Sequence, residues 1–188
     1  MGALTLNTDG CSKGNPGPCG GGGVLRDPSG HPMVGFSAFF GVTSSLQVET
    51  LALLTGLQIC AQKGFMNVSI QLDFLVLVGI LQRQLHCHWH IRWEVQQIWK
   101  LAGDPSRLVH CFRKANNVTD ILANVEVAHP HHVVKLYEHW NEWLRLARGG
   151  ISLDSMGAPS VRRVRAPNTR NILIGLLWYF EVYEYKQG

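Results

Sequence analysis

Four acidic residues of this chain stand where a carboxylate could act on a ligand. Asp9 and Asp73 each follow a short segment typical of a strand, and ligands gather at strand ends in open α/β sheets. Glu49 lies on a side of a predicted helix that is otherwise apolar or small, where a carboxylate is costly unless it is paired or bound to a metal. Asp120 falls in the first turn of a later helix, where the helix dipole favours an anion. These four acids are the candidate catalytic and metal-binding residues.

Each of these acids, taken alone, has an ordinary explanation as a turn or helix-cap residue. Taken together they indicate something else, because converging carboxylates repel one another and need divalent cations to stay charged. A ligand set made only of oxygen favours Mg²⁺ or Mn²⁺ over Zn²⁺. The chemistry that such a set implies is chemistry on phosphate.

Three strands are predicted before the first helix. Alternating apolar and polar residues predict a strand over residues 4–8, and the turn signal at residues 27–30 predicts that residues 20–26 and 32–40 are strands on either side of it. We expect these strands to form an antiparallel meander. The glycine-rich residues 11–24 fit neither GxxxxGKS/T nor a strand-to-helix GxGxxG, so those phosphate-binding loops are excluded.

The rest of the first 130 residues alternates helices with short strands. Hydrophobic periodicity and capping residues predict four helices and two further strands: helices over 45–63 and 74–84, one ending at Gly103 and one capped by Asn116 or Asn117, and strands over 67–72 and 107–112. This order predicts an α/β fold with helices on both faces of a mixed sheet.

A change of composition near residue 130 predicts a domain boundary, with residues 1–130 as one domain and residues 131–188 as a C-terminal extension. In the extension we expect an amphipathic helix over 133–148, a basic linker over 149–170 and an apolar end. The net charge of +4 is uneven: residues 1–128 hold nine Lys or Arg against eight Asp or Glu, and the remainder holds eight against five. The extension therefore carries most of the basic excess, which could bind phosphate nonspecifically.

Composition limits the class of protein. With 46% hydrophobic and 16% charged residues, the chain is not disordered throughout. Five cysteines without a CxxC pair predict reduced thiols rather than a disulfide framework or a zinc ribbon. The first ten residues predict neither a secretory signal nor a membrane anchor. We therefore expect an intracellular monomer of the nucleus or cytoplasm with no membrane partner.

Histidines suggest a second metal hypothesis. Residues 86–90 and 129–132, HCHWH and HPHH, offer several donors, but four ligands at a structural zinc spacing are not evident. We expect surface or partly buried histidines instead. Trp89, Trp93 and Trp99 could stack on nucleic-acid bases, although helix-spaced aromatic residues more often belong to a core or a lid.

The four acids occur within separated motifs in a fixed order. The motifs are Thr8-Asp9-Gly10, Lys13-Gly14-Asn15-Pro16-Gly17, Val48-Glu49 with Ala52-Leu53, Leu72-Asp73, and Asn116 with Asp120 and Leu122-Ala123. In this order they resemble the ribonuclease H family, and more closely the plant reverse-transcriptase-like ribonuclease H domains. The resemblance spans roughly residues 3–128, and the ordered set is specific where any one motif is not.

The resemblance implies a fold and a reaction. The fold would be a five-stranded mixed sheet whose first three strands are antiparallel, and the reaction would be cleavage of the RNA strand of RNA–DNA hybrids. Asp9 would bridge two Mg²⁺ ions, with Mn²⁺ as a substitute, and Asp120 would help to hold the ion that activates water. Glu49 and Asp73 would hold the ion at the leaving 3′ oxygen, so that the product carries a 5′-phosphate.

The same resemblance implies contacts to the hybrid. The implied substrate-binding residues are Gly10, Cys11, Ser12, Asn15, Ser44 and Ser45. Ser44 would contact a phosphate of the DNA strand. The others would read ribose 2′-hydroxyls, the group that separates RNA from DNA.

A second function stays open beside the nuclease. The chain could be a retroelement-derived module, weak or inactive in catalysis, that binds another nucleic acid or a protein partner. Residues 84–90 contain histidines and Trp89 but no Lys or Arg, so a basic protrusion for binding a hybrid is missing. That segment favours the module, whereas the intact acids favour the enzyme.

Overall fold

The computed structural model of the chain describes residues 4–111, 117–128, 133–138 and 163–165. The described strands are β1 (Thr5–Ser12), β2 (Gly17–Arg26), β3 (Pro32–Thr43), β4 (Ser69–Leu72), β5 (Leu108–His110), β6 (Val133–Tyr137) and β7 (Arg163–Arg165). The described α-helices are α1 (Ser45–Gln62), α2 (Leu75–Leu81), α3 (Arg92–Ala102) and α4 (Asn117–Ala128). In none of these helices are length and apolar character combined as a membrane span requires.

The strands form one mixed sheet in the order β5-β4-β1-β2-β3-β6-β7. β1, β2 and β3 are antiparallel neighbours, while β4 pairs parallel with β1 and β5 pairs parallel with β4. The predicted meander is therefore confirmed. Its second turn is held by Asp27, whose Oδ1 accepts backbone hydrogen bonds from Ser29 at 2.9 Å and His31 at 2.8 Å.

The first strand is longer than the sequence pattern predicts. β1 does not end before Asp9 but continues to Ser12, because the facing residues of β2 are glycines that continue the pairing, with Asp9 opposite Gly22. The glycine-rich segment is thus largely a strand. A Cβ at Gly22 would lie 2.6 Å from the Cβ of Leu122 on α4, and one at Gly21 would lie 2.9 Å from the Cβ of Ala52 on α1. Glycine therefore lets α1 and α4 pack closely on opposite faces of β2.

The larger core lies on the α1 face of the sheet. It joins residues of β1, β4, α1, α2 and α3, with Leu6, Leu53, Ile70, Leu77 and Val95 among those at most 2% exposed. The α4 face has a smaller core around Val24, Leu122 and Tyr137. These two layers confirm helices on both faces of the sheet, as predicted.

Strand β6 corrects the prediction of a helix over residues 133–148. Residues 133–137, VVKLY, pair antiparallel with the edge of β3, with Ser37 opposite Lys135. The β-branched and aromatic residues of this segment fit a strand, and the free edge of β3 gives it a partner. The sheet consequently has seven described strands instead of five, since β7, taken from the predicted linker, pairs with β6. The remainder of the predicted helix and the apolar end lie outside the described residues, and the boundary near residue 130 stays a prediction.

A buried hydroxyl pair ties β6 to β3. Tyr137 is 1% exposed, and its Oη lies 3.0 Å from Ser37 Oγ, so Tyr137→Phe removes a buried hydrogen bond while keeping the ring. We expect the free energy of unfolding, measured in urea, to fall by about 1–2 kcal/mol. Lys63→Gln, which removes the exposed ion pair between Lys63 and Glu138, should change it by less than about 0.5 kcal/mol. Equal stability of Tyr137→Phe and the wild type would contradict the placement of β6.

Candidate active site

Asp9 lies in the middle of the sheet. It is near the end of β1, which runs between β4 and β2, and the residue is 2% exposed. Asp9 is therefore a buried acid on a central strand. Burying an ionised carboxylate is costly unless a nearby positive charge or hydrogen bonds compensate the lost hydration.

Glu49 approaches the same strand from α1. Its Oε2 accepts a hydrogen bond from the backbone N–H of Gly10 at 3.1 Å, and the residue is 6% exposed. A Cβ at Gly10 would lie 2.8 Å from the backbone nitrogen of Glu49 and 2.9 Å from Val48 Cγ1, so glycine is what permits this close approach. The apolar surroundings of Glu49 in the sequence correctly indicated a carboxylate directed at the sheet.

Asp73 completes a group of three carboxylates. It follows β4 directly and is half-buried, and because β4 runs parallel to β1, the carboxyl ends of both strands meet at one edge of the sheet. Each of Asp9, Glu49 and Asp73 offers an oxygen that lies within 4.8 Å of the other two. Three residues from β1, α1 and the end of β4, 64 positions apart at the extremes, are thus brought together by the fold.

The donor set of this group fits a hard divalent cation. All three ligands are carboxylates, and oxygen-only sets favour Mg²⁺ or Mn²⁺. Among the residues that the structure describes, no other set of three or more His, Cys, Asp or Glu side chains comes together in this way. The histidines of residues 86–90 do not form such a set; His88 and His90 stack with ring centroids 4.1 Å apart. Residues 129–132 lie outside the described part of the chain.

The negative charge of this region affects the pKa values of two nearby thiols. Burial raises the pKa of Cys11, the nearby charges of Asp120 and Asp9 raise it further, and the ammonium of Lys13 opposes them. Burial also raises the pKa of Cys111, with Asp73 and Asp9 adding to the effect. Burial and the nearby carboxylates therefore both favour the neutral form of these two thiols.

Asp120 stands on the opposite layer from Glu49. It is half-buried in the first turn of α4, and its charge acts on Cys11 together with that of Asp9. It is not one of the three residues whose oxygens lie within 4.8 Å of one another. The structure therefore brings three of the four predicted acids into one group and places the fourth beside the same strand end.

The predicted substrate-binding residues lie near the same strand end. Gly10, Cys11 and Ser12 are the last residues of β1, and Asn15 in the following loop accepts a hydrogen bond from the backbone N–H of Ser45 at 3.2 Å. This bond connects the loop to the start of α1. Ser44 is the N-cap of that helix, because its Oγ accepts a hydrogen bond from the backbone N–H of Gln47 at 3.3 Å.

One polar residue beside Asp120, Asn124, was not singled out from the sequence as a site residue. Asn124, one helical turn after Asp120, contacts Asp120, Cys11 and Lys13. The four-residue spacing of Asp120 and Asn124 on one helix face was the available signal. The contact with Cys11, 113 positions away, depends on where α4 packs.

The three tryptophans divide between core and surface. Trp93 and Trp99 pack against the larger core, and Trp99 Nε1 donates a hydrogen bond to the backbone oxygen of Leu81 at 2.9 Å. Trp89 is 73% exposed. Of the three, Trp89 alone has most of its surface available for stacking on a base.

A three-stranded antiparallel meander, two parallel strands beside it and carboxylates grouped at the central strands define the ribonuclease H-like fold. Residues 7–126 match the family model described as reverse transcriptase-like. The chain belongs to this family of ribonuclease H-like proteins.

Relatives and solved structures agree with this assignment. The chain is 35% identical over 135 residues to an Arabidopsis thaliana protein named for ribonuclease H, a match that covers 66% of this chain and 20% of that protein. It is 34% identical over 103 residues to ribonuclease H of Desulforamulus reducens, covering 55% of this chain and 60% of the enzyme. The chain thus spans less than two thirds of the length of both relatives.

Similar solved structures are also ribonucleases H. RNase H1 of the archaeon Halobacterium salinarum has a TM-score of 0.62 and 25% identity, with 69% of this chain and all of that chain covered. LC11-RNase H1, isolated from compost and crystallised with an RNA/DNA hybrid, has a TM-score of 0.59 and 27% identity, with 64% and 94% covered.

Proposed function

We propose that this chain is an endonuclease that hydrolyses the RNA strand of RNA–DNA hybrids. The observation that carries the proposal is the grouping of Asp9, Glu49 and Asp73 within 4.8 Å on a ribonuclease H-like sheet. The crystallised complex of LC11-RNase H1 with an RNA/DNA hybrid supports the choice of substrate.

The four acids would hold two divalent cations, Mg²⁺ or Mn²⁺. Asp9 would contribute to both positions, since its carboxylate is grouped with those of Glu49 and Asp73 and its charge acts together with that of Asp120 on Cys11. Glu49 and Asp73 would complete one position, and Asp120 would complete the other. Two such ions, when bound, supply an activated water and stabilise the leaving 3′ oxygen.

Contacts at the end of β1 would select RNA. The backbone of Gly10, Cys11 and Ser12 lies beside the acids, and Asn15 with Ser45 forms the adjoining edge. These groups would read ribose 2′-hydroxyls. Ser44 would contact a phosphate of the DNA strand while its Oγ caps α1.

A cleavage assay with four labelled substrates tests the proposal. Purified chain with Mg²⁺ should cut the RNA strand of a hybrid and leave 5′-phosphate ends, but should not cut RNA duplex, DNA duplex or single-stranded RNA. Removal of divalent cation with a chelator should abolish cleavage, and added Mg²⁺ should restore it. A folded protein that leaves the hybrid intact with both Mg²⁺ and Mn²⁺ would overturn the enzymatic proposal.

One sequence feature favours the alternative of an interaction module. Residues 84–90 carry no Lys or Arg, and the exposed side chains there include Leu85 and Trp89. A module would bind nucleic acid without cutting it. Hybrid binding with no cleavage at saturating Mg²⁺ would support this second function.

A further inference from the structure

Asn124 makes two hydrogen bonds to the residue that would complete the second metal position. It follows Asp120 by one turn of α4, which places the two side chains on the same helix face. Its Nδ2 donates to Asp120 Oδ1 at 3.1 Å and to the backbone oxygen of Asp120 at 2.8 Å. The amide therefore restricts the orientation of the Asp120 carboxylate.

The other end of the same amide contacts the first strand and its loop. Asn124 Oδ1 accepts a hydrogen bond from Lys13 Nζ at 3.0 Å and one from Cys11 Sγ at 3.1 Å. Cys11 lies two residues after Asp9 on β1. One side chain thus links the strand that carries Asp9 to the helix that carries Asp120.

The position of Asp120 depends on this link, because Asp120 is not part of the group that the other three acids form. Asp9, Glu49 and Asp73 already share a volume in which their oxygens lie within 4.8 Å of one another. Asp120 has a half-buried side chain on a separate helix, so its approach to that volume depends on the placement of α4 and on its own rotamer. Hydrogen bonds from surrounding residues are what orient such ligands in metal sites.

We propose that Asn124 is a positioning residue that fixes Asp120, relative to Asp9, for binding the second divalent cation. The inference rests on the proposed function, because it takes Asp120 as a metal ligand. Asn124 itself binds neither substrate nor metal in this account. Lys13 bonds to the amide oxygen of Asn124, whereas Asp120 bonds to the amide nitrogen. The contributions of these two contacts can therefore be tested by separate substitutions.

The test compares Asn124→Leu with Lys13→Met and with Gln96→Leu. Leucine keeps the branched shape of asparagine and removes both halves of the amide network. Lys13→Met leaves the two bonds to Asp120 in place, and Gln96→Leu makes the same amide-to-leucine change at an exposed residue of α3. Mn²⁺ binding to the whole chain is measured from the electron paramagnetic resonance of the free ion, and hybrid cleavage is measured with Mg²⁺.

For Asn124→Leu we expect the Mn²⁺ affinity of the position that Asp120 would complete and kcat each to fall by about 10- to 100-fold, with KM for the hybrid little changed. The melting temperature without metal should stay close to that of the wild type, which separates positioning from loss of fold. Lys13→Met and Gln96→Leu should bind Mn²⁺ as the wild type does. Asn124→Gln, which keeps the amide on a longer side chain, should recover part of the affinity.

Wild-type Mn²⁺ affinity and kcat in Asn124→Leu would overturn the inference and leave the nuclease proposal standing. If Asn124→Leu melts early, Asn124→Ser provides the same comparison, and wild-type Mn²⁺ affinity there would equally overturn it. A wild-type chain that binds two Mn²⁺ ions but cuts no hybrid would overturn the nuclease proposal, and the Mn²⁺ comparison would still decide the role of Asn124. A wild type that binds no Mn²⁺ would overturn both.

Discussion

Asp9→Asn is expected to lower the rate of hybrid cleavage by at least about 10³-fold, because several kcal/mol of transition-state stabilisation is lost with the metal ions. Asp9 is the acid assigned to both cation positions. It is 2% exposed, so solvent cannot compensate for the loss of its carboxylate. The measurement is single-turnover cleavage of a labelled hybrid at saturating Mg²⁺.

The same substitution should stabilise the protein when no metal is present. Three carboxylates with oxygens within 4.8 Å repel one another, and a neutral amide at position 9 removes part of that repulsion. At an effective dielectric constant of about 20, a pair of charges at such a separation costs about 3 kcal/mol, so a gain of about 1–3 kcal/mol is expected without metal. Added Mn²⁺ should raise the melting temperature of the wild type but not of Asp9→Asn.

Glu94→Gln provides the matched control for Asp9→Asn. Glu94 is a half-buried acid on α3, its Oε2 is buried without a hydrogen bond, and burial raises its pKa. It lies outside the acidic group, so Glu94→Gln should cleave the hybrid at the wild-type rate and respond to Mn²⁺ as the wild type does. Equal cleavage by Asp9→Asn and Glu94→Gln would contradict the assignment of Asp9.

Gly22→Ala is expected to destabilise the protein by about 3 kcal/mol, since overpacking against a rigid neighbour displaces backbone. A Cβ at Gly22 would lie 2.6 Å from Leu122 Cβ and 2.7 Å from both the backbone nitrogen of Ala123 and the backbone oxygen of Thr119. Neither backbone atom can move without shifting α4. Because α4 carries Asp120, cleavage should also fall at temperatures where the variant is still folded.

Gly56→Ala is the matched control for Gly22→Ala. The three nearest atoms that a Cβ at Gly56 would meet are side-chain atoms, Thr8 Cγ2 at 3.1 Å and the methyl groups of Leu6 at 3.2 Å. The helix propensity of alanine offsets this crowding by about 1 kcal/mol, so we expect little net change in the free energy of unfolding in urea. If Gly22→Ala unfolds at the same urea concentration as the wild type, the close packing of α4 on β2 is wrong.

Two of the three grouped acids stand out as candidates from their positions in the predicted elements. Glu49 stands on the packing side of its helix, and Asp73 ends a buried strand, so both can be recognised without knowing the fold. The order of strands and helices follows from local hydrophobic periodicity and turn signals. The predicted antiparallel meander and the helices on both faces of the sheet are confirmed.

Other features depend on contacts between distant segments and could not be predicted. The continuation of β1 past Asp9 requires a glycine strand opposite it, and the sheet position of β6 requires the free edge of β3. The amide of Asn124 acquires its role only when α4 packs beside β1. Local periodicity contains none of this information.

Mn²⁺ binding in the presence of a hybrid with a non-cleavable RNA strand tests the central claim most directly. Free Mn²⁺ is measured by electron paramagnetic resonance as the wild type, Asp9→Asn and Glu94→Gln are titrated. We expect two bound ions per chain for the wild type and Glu94→Gln, and loss of both for Asp9→Asn. Binding by the wild type that is no greater than binding by Asp9→Asn would contradict the assignment of Asp9 to both cation positions.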